Sequence, residues 1–219
     1  MKKALLLLLI LIIGTSILLS CGTEEEGGAK NREYDEKTVA AAAEELIKSS
    51  ELLNELFWGE GIKYNPDPKY ANGYYYMADY FSLDKFGVET VSDIENLTRG
   101  VFSEDFSNYI FSSTVFAPAY DADGNITLFA RYSQKETDGV NEYIMVYSKW
   151  EPFLYDDVKY DYESIKVIRS EGEKVIVEIS CTVTDSESKN TKEQTVSVKL
   201  IEESGGWRLD SPTYTSYIE

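Results

Sequence analysis

Hydrophobic and polar positions divide the chain into an N-terminal apolar block, a helix-periodic stretch and a β-periodic second half. Ala4–Leu19 is almost unbroken Leu and Ile. Between Tyr34 and Trp58, Val39, Ala42, Ala43, Leu46, Ile47, Leu53, Leu56 and Phe57 recur at three- and four-residue steps, with Glu, Lys, Ser and Asn on the far side. That spacing predicts one amphipathic helix. Gly59 and Gly61 end it, and Asn65-Pro66-Asp67-Pro68 makes a turn. Gly73–Phe81 is dense in Tyr and Phe and predicts a strand. Ser92 and Glu95 have capping-box spacing and open a short helix to Arg99, stopped by Gly100. Ser103 caps another over Glu104–Phe111, turning Phe102, Phe106, Tyr109 and Ile110 to one side.

From Ala119 onward the period shortens to two. Ile126–Tyr132 and Tyr143–Trp150 read as strands, with a turn at Thr137-Asp138-Gly139, and Ser164–Ser170 follows. Lys174–Thr184 alternates cleanly, with Val175, Val177, Ile179, Cys181 and Val183 on one face and Glu178, Ser180 and Thr182 on the other. Asp185–Asn190 is a polar loop, Thr195–Ile201 alternates again, and Gly205-Gly206 turns into a last strand carrying Trp207 and Leu209. Helices followed by antiparallel strands predict an α+β domain with one sheet, its first face covered by N-terminal helices and its second partly open.

The apolar block follows Met1-Lys2-Lys3 and closes on Leu18-Leu19-Ser20-Cys21. A membrane-spanning helix needs about 20 apolar residues. This run is shorter and interrupted by Gly14-Thr15-Ser16, which suits the h-region of a secretory signal. Its closing tetrad resembles a bacterial lipobox. The resemblance implies cleavage before Cys21 and diacylation of its sulfur, and two acyl chains suffice for stable anchoring. The implied organisation is a lipoprotein signal peptide over 1–20, an acidic tether over 21–34 and a single α+β domain over 35–219. The implied location is outside the cytoplasm, held at the cell membrane, on a Gram-positive surface.

Formal net charge is −18, and there is no histidine. Nucleic-acid binding normally needs a basic face, so nucleic acid is not an expected partner. Anionic headgroups are repelled, which leaves membrane attachment to the lipid on Cys21. A basic protein partner gains mostly in on-rate, while self-repulsion that favours solubility is the plainer reading of the charge. Without His, Ser-His-Asp and Cys-His catalysis and His-ligated zinc are excluded. Cys181 is the only cysteine after Cys21. It shares a face with Val and Ile, where a thiol acts as a small hydrophobe. No cofactor is expected.

Three constellations could carry function. Asp121-x-Asp123-Gly124-Asn125 resembles a calcium loop, but aligning Gly124 with the loop glycine puts Ala119 and Ala130 at two ligand positions. A polar hairpin turn is the better reading. Trp150–Glu163 interleaves aromatics with acids, and Trp150, Phe153, Tyr155, Asp156 and Asp157 are candidate partner-binding residues. The same aromatics also suit simple packing of an inter-strand loop on the sheet. Trp58, Tyr74 and Tyr76, with Asp79 nearby, are candidates for a pocket between the first helix and the sheet.

The order of segments carries a wider resemblance. A helix ends in Leu56-Phe57-Trp58-Gly59, and a Tyr-rich segment and Val101-Phe102-Ser103-Glu104-Asp105-Phe106 follow. The strand-rich half closes on Gly205-Gly206-Trp207-Arg208-Leu209-Asp210. This layout resembles the nuclear-transport-factor-two-like (cystatin-like) proteins and implies helices packed on a curved, cone-like sheet. More narrowly it is similar to IseA-type inhibitors of cell-wall DL-endopeptidases. That implies a non-enzymatic binder whose surface loop, Phe153–Asp157 by composition, enters a hydrolase cleft. The alternative is a small-ligand-binding lipoprotein that uses the helix–sheet pocket.

Overall fold

The computed structural model describes residues 34–113, 115–137, 141–152, 157–171, 173–185, 188–203 and 205–213. All lie in one compact unit, Asn31–Glu219. The architecture is α+β, with helices packed on antiparallel sheets.

Helix α1, Glu36–Phe57, starts where the Asp35 carboxylate accepts the Thr38 N–H at 3.1 Å. Its buried stripe, including Val39, Ala43, Leu46, Ile47, Leu53 and Leu56, is the one the periodicity predicts. Helix α2 is Tyr80–Phe86, capped by Asp79 and closed by left-handed Gly87. The Tyr-rich segment is therefore not one strand. Only Tyr75–Met77 is extended, because the Asp79 cap diverts Tyr80 and Phe81 into a helix. Helix α3, Val91–Val101, opens on a capping box made by Thr90 and Asp93, not by Ser92 and Glu95. Gly100 sits inside its last turn and does not stop it, since one glycine there costs only about 1 kcal/mol. Ser103 caps α4, Glu104–Ser112, as expected.

The strands form two four-stranded antiparallel sheets and a two-stranded ribbon, not the single sheet expected. The first sheet has the order β1 (Ala71–Asn72), β2 (Tyr75–Met77), β6 (Asn141–Tyr147), β5 (Tyr132–Thr137). The second has the order β10 (Gly206–Leu209), β9 (Thr191–Glu203), β8 (Lys174–Thr184), β7 (Asp157–Glu171). The ribbon pairs β3 (Ala119–Tyr120) with β4 (Ile126–Leu128). Strand β8 has the predicted bounds, and its Val175, Val177, Ile179, Cys181 and Val183 are buried. Strand β7 extends well before Ser164 because a bulge interrupts but does not end it. There the Ser164 hydroxyl donates to Asp161 O at 2.6 Å and accepts the Ser180 N–H at 2.8 Å, replacing ladder bonds. Of the predicted turn, Asp138 and Gly139 lie outside the described residues.

Helix α1 packs on β7, β10 and α3, while α3 touches β10 of one sheet and β5 and β6 of the other. The end of α1 is tied to the first sheet by two adjacent buried residues. Tyr132 donates its hydroxyl proton to Leu56 O at 2.8 Å and accepts the Ile62 N–H at 3.1 Å. Arg131 donates from Nη2 to Gly59 O at 2.8 Å. The guanidinium lies 5.2 Å from the Tyr132 ring centre and 5.0 Å from that of Trp150. Gly61 passes over both with φ +60°, and a Cβ there would fall 2.2 Å from Arg131 Nη2.

Replacing Tyr132 with Phe keeps the ring and leaves two buried backbone groups without their partner. We expect a loss of about 1–3 kcal/mol in urea unfolding, whereas Tyr120→Phe, at an exposed position, should stay within about 0.5 kcal/mol. Equal midpoints for the two variants would contradict this account of the helix end.

Candidate functional site

Rings pack around the C-terminal end of α1. Phe57 meets Phe116 at 6.4 Å, and Phe116 meets Tyr132 at 6.1 Å and Phe111 at 5.8 Å. Trp58 is buried and stands edge-on to Phe57 at 5.6 Å. Tyr76 is half-buried against Tyr64, and Tyr74 lies half exposed beside Phe129 and Tyr147. The three pocket candidates thus have different ring neighbours. The Asp79 carboxylate is committed to the α2 cap, accepting the Ser82 N–H at 3.0 Å.

The partner-binding candidates divide as well. Phe153, Tyr155 and Asp156 lie outside the described residues, as does Cys21. Trp150 is half-buried, with its ring over the Arg131 guanidinium. Asp157 is exposed at the start of β7, 3.6 Å from Lys159. Cys181 is buried, and burial pushes its thiol up from the ordinary range. That is the opposite of what a nucleophile needs.

The Asp121 segment is a hairpin turn. Its carboxylate accepts the N–H groups of Asp123 and Asn125, both at 2.9 Å, and Gly124 takes φ +83°. The Asn125 N–H, and then its side-chain amide, hold the Asp121 carboxyl below the usual carboxylate range. The oxygens that a calcium ion would need serve the turn, and no group of three potential metal ligands occurs among the described residues.

This turn presents the surface that sequence reasoning missed. The β3–β4 ribbon joins neither large sheet. It exposes Tyr120 at 59%, Ile126 at 45% and Leu128 at 43%. Phe129, next along, stacks on Tyr147 at 5.1 Å and meets Tyr74 at 6.0 Å, and Lys149 Nζ lies 4.1 Å over the Tyr74 ring. The ribbon's exposed apolar side chains adjoin the ring cluster at Leu128–Phe129, and exposed apolar side chains of this kind can serve binding. Its available sequence signal was the Asp-Gly turn. Reading Ile126–Tyr132 as one strand concealed that β4 ends at Leu128 and that its side chains face solvent.

No family model matches the chain, and no curated protein matches it. Among the described residues no helix is long and apolar enough to cross a membrane.

A depressed carboxyl adds stability above its unfolded pKa, about 3.9, and that contribution is lost as pH falls through the lower folded value. Carboxyl NMR should therefore place the Asp121 midpoint below about 3.9, with the Asn125 amide shift following it. A midpoint at or above about 3.9 would contradict the turn geometry.

Proposed function

We propose that the chain is a surface-anchored lipoprotein, tethered through Cys21, that acts as a non-enzymatic binding module for another envelope protein. A cell-wall DL-endopeptidase is the candidate partner. The observation that carries the reading is the β3–β4 ribbon, where Tyr120, Ile126 and Leu128 stand exposed beside the Phe129–Tyr147–Tyr74 rings. A two-stranded ribbon can enter a cleft, and aromatic anchors supply most interface energy. The acidic balance adds on-rate toward a basic partner. In this reading the ribbon takes the inserting role that composition suggested for Phe153–Asp157. The small-ligand alternative has less support, because rings pack around the C-terminal end of α1 where Trp58 lies.

Purified residues 31–219 are expected to slow wall digestion by a DL-endopeptidase. The double variant Tyr120→Ala/Ile126→Ala should weaken inhibition at least about tenfold, the loss of roughly 1.4 kcal/mol of contact. No inhibition across several such enzymes would remove the endopeptidase from the proposal. Unchanged inhibition by the double variant would remove the ribbon.

A further inference from the structure

Tyr80 and Phe81 are the most exposed large apolar side chains among the described residues, at 72% and 81%. Their rings meet edge to face at 5.9 Å. The exposure is built into the backbone. Asp79 caps α2, and the Asp79 N–H donates to Lys63 O at 2.9 Å. Buried Ser82 accepts the Lys63 N–H on its hydroxyl at 2.7 Å. Ser82 is thereby pinned inward against the segment after α1, and the preceding two rings are held outward on a rigid turn.

Two lysines and two glutamates pair around this corner, and the Asp79 cap and exposed Asp84 leave it net acidic. Lys63 pairs with Glu60, and Lys85 lies 3.7 Å from Glu55, with both ammonium groups more than half exposed. Tyr80 carries the kind of amphipathic ring that settles at the headgroup level of a bilayer, and Phe81 adds an apolar ring beside it on the same fixed turn. Two rings alone bind weakly. The 13 residue steps from Cys21 to Tyr34 span at most about 45 Å however they are folded, so an anchored domain stays within that reach of the lipid. Tethering at such range supplies a millimolar effective concentration, and a weak contact then becomes occupied. The net charge of −18 opposes anionic lipid and a second copy of this chain alike.

We infer that the Tyr80–Phe81 corner docks on the neutral lipid surface that holds the anchor, fixing which face of the domain points outward. The inference rests on lipidation of Cys21.

The test couples the chain from Cys21 onward, through that thiol, to a maleimide lipid in phosphatidylcholine vesicles, where buried Cys181 does not compete. Amide exchange over residues 80–86 should slow at least threefold relative to the free chain, with residues 119–128 unaffected. The double variant Tyr80→Ser/Phe81→Ser should abolish the slowing. Equal rates with and without vesicles would overturn the inference. Slowing that survives the double variant would also overturn it, as would slowing that needs phosphatidylglycerol or an added wall hydrolase. Palmitate labelling of Cys21 in cells separately tests the anchor, since its failure would leave the vesicle result intact.

Discussion

The end of helix α1 is where this fold is most constrained. A 22-residue helix terminates inside the domain at Phe57, with carbonyls that cannot reach water freely. Tyr132 takes the Leu56 carbonyl and returns an acceptor to the Ile62 N–H, and Arg131 takes the Gly59 carbonyl. A cation at a helix C-terminus also opposes the negative end of the macrodipole. Arg131 is 1% exposed, and its Nε and Nη1 have no hydrogen-bond partner. Burial accordingly pulls the guanidinium below its ordinary range. Tyr132 and the fields of Glu55 and Glu60 oppose that shift, and the Tyr132 and Trp150 rings lie within cation–π range of the guanidinium. Only glycine fits above it at position 61.

Both outward-facing surfaces hang from segments beside this lock. Lys63, next to Ile62, carries the two backbone bonds that orient α2 and so present Tyr80 and Phe81. Ala130, next to Arg131, accepts the Tyr75 hydroxyl proton at 2.7 Å. That bond braces the ring cluster at the base of the β3–β4 ribbon. A break at the helix end would loosen the proposed protein-binding ribbon and the proposed lipid-facing corner together.

Regular periodicity was what made parts of the fold legible. Helix α1 and strand β8 each bury one continuous face, so the periodicity of Val39–Phe57 and Val175–Val183 is legible directly. Alternation says nothing about which strands pair, and for that reason two sheets were read as one. Local competition misled elsewhere: Thr90–Asp93 and Ser92–Glu95 have the same spacing, and backbone geometry selects the first. Aromatic density suggested a strand through Phe81, but the Asp79 cap decides the chain direction. Of the candidate site, the turn at Asp121 was legible while the exposure of its strands was not. Arg131 carried no signal at all, because a lone arginine followed by Tyr-Ser-Gln-Lys-Glu-Thr reads as a surface residue.

The bonds from Tyr132 and Arg131 make the α1 end and the start of β5 one cooperative unit. Native-state hydrogen exchange at the Ile62 amide, which donates to the Tyr132 hydroxyl, measures this directly. Its opening free energy should match that of the β8 core amides and fall with denaturant at the global slope. Exchange of Ile62 through a low-energy local opening, with β8 still protected, would contradict the account.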